Sequence, residues 1–233
     1  MNVRQLWVSP SKQFITTLIL SSLVSEVLFG YGAWHSHSLL FDYLTWNLLL
    51  AWLPLIFAAR LTKVLKNKLW SSWEALGLSI LWLIFLPNSF YMISDFIHLQ
   101  DISQYNAVYD AIMLTSFVYT AVIMGFSSLF LVHLHIKRRA TTRVSSGIVA
   151  FILFISSIAV YFGRDLRWNS WDLLTNPGGL SYDFYYRIDH LTSYPEMSVT
   201  IVALFVLLCV MYNLLWRSAH ILQTWHYLES KNL

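Results

Sequence analysis

Long runs without a single charge constrain this chain more than any other feature. Twenty uncharged residues separate Glu74 from Asp95, 26 separate Asp110 from Lys137, and 20 separate both Arg143 from Arg164 and Glu196 from Arg217. A helix needs about 20 such residues to cross roughly 30 Å of hydrocarbon. Four membrane spans follow. Tyr43 to Ala59 supplies 17 more, enough once Leu39, Leu40 and Phe41 are added beside Asp42. Gln13 to Trp34 is broken by Glu26 but is otherwise too apolar for water, and makes a sixth. Composition agrees. Only 12% of the residues are charged, about half the share in a soluble domain, so most of the surface must face lipid.

The chain therefore reads as an all-α polytopic bundle, one domain over residues 1–233, with spans near 14–34, 40–59, 74–94, 109–134, 144–163 and 197–216. A cleaved signal peptide is the competing reading of the first segment, since Lys12 precedes an apolar run and Gly30-Tyr31-Gly32 offers small residues. The length of the run and Glu26 favour a retained span.

Lysine and arginine set the orientation, because they stay on the cytoplasmic side of short loops. Twelve of the 15 fall before the first span, between the second and third, between the fourth and fifth, and after the sixth. Arg164, Arg167 and Arg187 alone lie on the other side, all in the loop 163–196. This places both termini in the cytoplasm and makes the net charge of +3 a topology signal. It does not point to nucleic acid, since the basic residues are spread over four short segments without a binding motif. Nine of the 12 acidic residues lie at or beyond the outer interface, accompanied by His35, His37, His98, His190, Trp34, Trp168 and Trp171.

Two segments stand out there. In residues 86–99, Pro87 removes a backbone donor and frees a carbonyl one turn earlier. Continued as a helix, the segment sets Asn88, Tyr91, Asp95 and His98 on one face. Asp95 and His98 at i and i+3 can share a metal ion or form a carboxylate-imidazole hydrogen bond. In residues 163–174, helical spacing lines up Arg164, Trp168 and Trp171, with Asp165 and Asp172 on an adjoining face. An arginine at this depth can grip a phosphate or carboxylate bidentately, or pair internally with Asp165, Asp95 or Asp172. Asn176-Pro177-Gly178-Gly179 is a turn signal. Beyond it, Phe184, Ile188 and Leu191 suggest a short amphipathic helix on the membrane.

Within the bilayer, Glu26 is the costly residue. Its small polar surroundings suggest helix packing, with a hydroxyl such as that of Ser116 or Thr120 as partner. Asn47, Ala51, Pro54 and Ala58 give the second span a small face suited to a helix-helix seam. His133, His135, His220 and His226 lie near basic ends and read as interfacial. Signatures of known membrane chemistry are missing: no HExxH, GxSxG or phosphate-cradling GxxxxGK[ST] occurs. The lone Cys209 allows no intramolecular disulfide and no cysteine-based metal site.

Leu86-Pro87-Asn88 with Tyr91 and Asp95-Phe96-Ile97-His98-Leu99, together with Gly163-Arg164-Asp165-Leu166-Arg167-Trp168-Asn169-Ser170-Trp171-Asp172, resemble the two signature stretches of the bacterial family catalogued as domain of unknown function 1361. The resemblance extends over most of the chain. It implies an integral protein of the bacterial cytoplasmic membrane and supplies no reaction or cofactor.

The leading functional expectation is an outward-facing site at headgroup depth for a phosphate-bearing lipid or small anion. Asn88, Tyr91, Asp95 and His98 would build it with Arg164, Asp165, Arg167, Trp168, Asn169 and Asp172. An enzymatic alternative makes His98 a general acid or base oriented by Asp95, in hydrolysis or group transfer on a lipid-linked substrate. A third reading is a non-catalytic interaction module in which the polar groups only fasten the loop. The lipid bilayer is the one partner the residues identify.

Overall fold

The computed structural model describes residues 11–37, 39, 41–100, 107–168, 172–190 and 193–229. Among them, six helices are long and apolar enough to cross a membrane. They are α1 (Lys12–Ser36), α2 (Tyr43–Asn67), α3 (Trp73–Tyr91), α4 (Ala107–Lys137), α5 (Thr142–Asp165) and α8 (Pro195–Glu229). The third span runs on past α3 as a tighter 3₁₀ segment, Met92–Gln100. Two shorter helices, α6 (Asp172–Thr175) and α7 (Pro177–Asp189), make the connection between α5 and α8 partly helical.

Local sequence explains where the helices begin. Ser11, Ser72, Thr141 and Asn176 each accept a bond from a backbone N–H three residues on, at 3.1, 3.4, 3.4 and 3.1 Å. These are the side chains that best satisfy the donors exposed at a helix start. Pro177 follows its cap at the first helical position, where a missing N–H costs nothing. The second helix starts at Tyr43, later than expected, because the chain turns at Phe41 and Asp42 before it.

The bundle is organised on α4, whose apolar window is 72% buried, against 11% for α1 and 17% for α8. α2, α3 and α4 pack on one another, while α5 joins α3 to α8. Ala51, Pro54 and Ala58 are buried along the expected seam of α2. At the crossing of α3 and α4, a Cβ on Gly125 would lie 2.7 Å from the Cβ of Ser89. Only glycine permits that approach, the small-residue packing that joins helices where lipid offers no hydrophobic drive. Trp82 donates to Ser128 at 3.2 Å across the same pair of helices.

Two expectations change here. The Glu26 carboxylate accepts from Thr45 on α2 at 2.8 Å, rather than from Ser116 or Thr120. Those hydroxyls are engaged elsewhere: Ser116 donates to the carbonyl of Met113, and Thr120 is bonded to Ser21 and to the carbonyl of Ser116. His133 and His135, expected at the interface, are buried at 4% and 7% exposure. Nδ1 of His133 lies 2.8 Å from the Tyr212 hydroxyl, and its ring lies beside Trp216. α8 supplies this aromatic wall from the end of the predicted sixth span, and continues past it to Glu229. The side chains of His220 and His226 lie outside the described residues.

Candidate functional site

Pro87 lies buried inside α3 and cannot bond back to Leu83, and the helix tightens to 3₁₀ at Met92. In a 3₁₀ helix, residues i and i+3 eclipse one another. Asp95 and His98 therefore share one edge, and the expected polar stripe survives the change of pitch. Asn88, Tyr91, Asp95 and His98 all line a single cavity of about 950 Å³. Its other walls come from Tyr43, Trp46, Asn47 and Leu50 on α2, from α5 between Ile155 and Arg164, and from Leu180, Ser181, Phe184 and Tyr185 on α7.

At the polar end, Arg164 joins two elements. Its Nη1 donates to Oδ1 of Asp95 at 3.2 Å, and its Nη2 lies 2.9 Å from Nε2 of His98. Asn47 donates to the second carboxylate oxygen at 3.4 Å. Asp95 has no exposed surface, whereas the Arg164 side chain is 21% exposed. A carboxylate so deeply buried is tolerable only with partners on its oxygens, and here each oxygen has one. A guanidinium can only donate, so Nε2 of His98 is the acceptor in this contact. Tyr43 closes the far side of the imidazole at a ring-centroid distance of 5.1 Å. Asp95 and His98 thus meet through Arg164. Among the described residues, no group of three or more His, Cys, Asp or Glu side chains could hold a metal ion.

The second segment turns where a continuous helix was expected. α5 ends at Asp165, and Arg167 adopts φ 57°, in the left-handed region. That conformation is unusual for a residue with a long side chain and costs roughly 1–2 kcal/mol. The turn swings Trp168 back over the cavity, where its Nε1 donates to Asp183 of α7 at 2.9 Å. A Cβ on Gly163 would lie 3.3 Å from both the Trp168 carbonyl and the Tyr91 ring, a tight approach that glycine accommodates without any shift of these neighbours. α7 is held by a further arginine: Arg187 donates to the Tyr161 hydroxyl at 2.6 Å and stacks over Tyr194 at 4.6 Å. Phe184 packs on Phe162, while Ile188 is exposed, so the inner face of α7 is Leu180 and Phe184.

Of the expected site residues, Asn88, Tyr91, Asp95, His98, Arg164, Arg167 and Trp168 line the cavity. Asp165 and Asp172 are absent from its walls. With the helix broken at Arg167, the heptad spacing between them no longer defines a face; Asp165 bonds Tyr161, and Asp172 accepts from Thr175 at 3.2 Å. Asn169 and Trp171 lie outside the described residues. Asn47, assigned by its spacing to a packing seam, proves to reach Asp95 as well. An amide inside a span was the available signal, since it needs a partner at that depth. Asp183, Arg187 and Tyr161 could not be assigned to contacts, because their partners are set by how α7 folds back.

Neither a curated protein nor a solved structure matches the chain. A family model described as protein of unknown function (DUF1361) matches residues 46–211. The matched stretch begins on the cavity wall at Trp46, takes in Asp95, His98 and Arg164, and ends within α8. The chain belongs to that family.

Proposed function

We propose that this membrane protein presents its cavity to the extracytoplasmic side and binds a phosphate-bearing lipid or a small anion there, at headgroup depth. The orientation rests on the distribution of lysine and arginine, which puts the loop carrying Arg164, Arg167 and Arg187 outside, with both termini in the cytoplasm. The observation that carries the binding role is the arrangement of Arg164. Asp95 and His98 hold its guanidinium in place, yet it keeps exposed surface and N–H groups beyond those two contacts. Preorganised in this way, it loses little freedom when an anion arrives. Arg167 adds a second, exposed cation on the same wall. With Asp95 neutralising one of the two, the wall retains an excess positive charge.

Arg167→Gln tests this reading, because Arg167 has no buried carboxylate to leave stranded. The full chain in phosphatidylcholine nanodiscs should lose most of its binding of inorganic phosphate and of phosphatidic acid, while its thermal unfolding is unchanged. Binding equal to that of the unaltered protein would reject the site.

A second reading keeps the same ligand and adds a reaction on it, hydrolysis or group transfer. His98 favours it, because its ring touches the guanidinium that would hold the anionic group. Turnover that disappears in His98→Gln while phosphate binding persists would distinguish catalysis from binding alone.

A further inference from the structure

The polar end occupies only part of the cavity. Down α5 from Arg164 to Ile155 the wall continues for nine residues, about 14 Å along the helix axis. That is close to the hydrocarbon depth of one bilayer leaflet, roughly 15 Å. Leu50, Ile84, Ile155 and Ile158 line this lower part, and all four are only half-buried. A free anion would use none of it. An apolar slot of this size left empty forfeits the contacts that dense packing provides.

The slot also reaches the lipid. Trp46 lines the cavity and is 55% exposed, on the part of α2 that faces away from the bundle. α2 and α5 each pack on α3, which forms the floor between them. An entrance between those two helices would let a chain anchored in the bilayer slide in sideways while its head stays level with Arg164. Charge selects the head: Asp95 is the sole carboxylate on the wall among the described residues and is already paired, whereas Arg164 and Arg167 together leave positive charge in excess.

Building on the proposed anion site, we infer that the ligand is a membrane-resident amphiphile, a phosphate head carrying an apolar chain that lies in the slot between α2 and α5. Because lipid tails are as apolar as the slot, the chain gains little affinity from it; what the slot supplies is a lateral route and a fixed orientation.

The experiment uses the full chain in phosphatidylcholine nanodiscs and a dodecyl phosphate bearing a diazirine at the chain end. Photolysis should crosslink Leu50, Ile84 or Ile155 at least about tenfold more than the lipid-facing residues of α1 and α8, a preference that corresponds to one decade of binding. Ala159→Trp, which fills the slot from α5, should remove that preference while inorganic phosphate still protects Arg167 from phenylglyoxal. If Ala159→Trp does not fold, Leu50→Trp fills it from α2. Crosslinks spread evenly over the bundle, with Arg167 still protected by inorganic phosphate, would overturn the amphiphile and leave the anion site standing. Failure of both phosphate and dodecyl phosphate to protect Arg167 would remove the anion site as well.

Discussion

Arg164 and Asp95, 69 positions apart in sequence, form a salt bridge at 3.2 Å in which the carboxylate is completely buried. It ties α5 to the 3₁₀ end of the third span. Removing one partner strands the other charge, which in buried pairs costs about 3–5 kcal/mol. Arg164→Gln should therefore lower the thermal unfolding temperature sharply, and Asp95→Asn combined with it should restore most of the loss. A single substitution as harmful as the double would contradict the pairing.

Substitution of Arg167 would separate stability from the proposed anion binding. Its left-handed backbone is strained for arginine and ordinary for glycine. Arg167→Gly should keep or raise stability, by up to about 1 kcal/mol, while weakening binding of inorganic phosphate. Stability is read by thermal unfolding and binding by titration in nanodiscs.

Trp168 and Asp183 attach α7 to the end of α5 through one hydrogen bond. Trp168→Phe preserves the ring but deletes the donor, at a cost of about 1 kcal/mol. Hydrogen exchange should speed up in residues 177–189 and stay unchanged in α4. Uniform acceleration would mean that the contact supports the whole bundle.

Gly125 sits where α3 and α4 come closest. Gly125→Val forces a side chain into Ser89 and Phe90, and overpacking of this kind typically costs about 1–3 kcal/mol. Expression and melting temperature should both fall. Gly77→Val, at a glycine with open space around it, should have a much smaller effect.

Orientation can be read directly because Cys209 is the only cysteine. In a Cys209→Ser background, Tyr182→Cys should react with an impermeant maleimide on intact cells, and Lys63→Cys should react only after lysis. The reverse pattern would turn the cavity toward the cytosol.

The six spans were legible because lipid imposes one rule on every residue of a span: no unpaired charge for about 20 positions. Asp95, His98 and Arg164 were legible as candidates for the same reason, since each breaks that rule or the rule for arginine placement. Their mutual contact was one of several pairings open to Arg164. Spacing could not choose among Asp95, Asp165 and Asp172, because the helix was expected to continue where Arg167 ends it. Positive φ is normally signalled by glycine or asparagine, and neither occupies position 167. Glu26 was read with the right kind of partner on the wrong helix: the expected hydroxyls were Ser116 and Thr120 of α4, and the donor is Thr45 of α2.

The turn at Arg167 has a wider consequence. Had α5 carried on straight, Trp168 would have pointed off into the surroundings, α7 would have lost its anchor on Asp183, and the space above Tyr91 would have stood open on one flank. The left-handed turn at Arg167 thus helps to roof this recess, and mutations that undo it should widen its outer mouth without disturbing any of the six spanning helices.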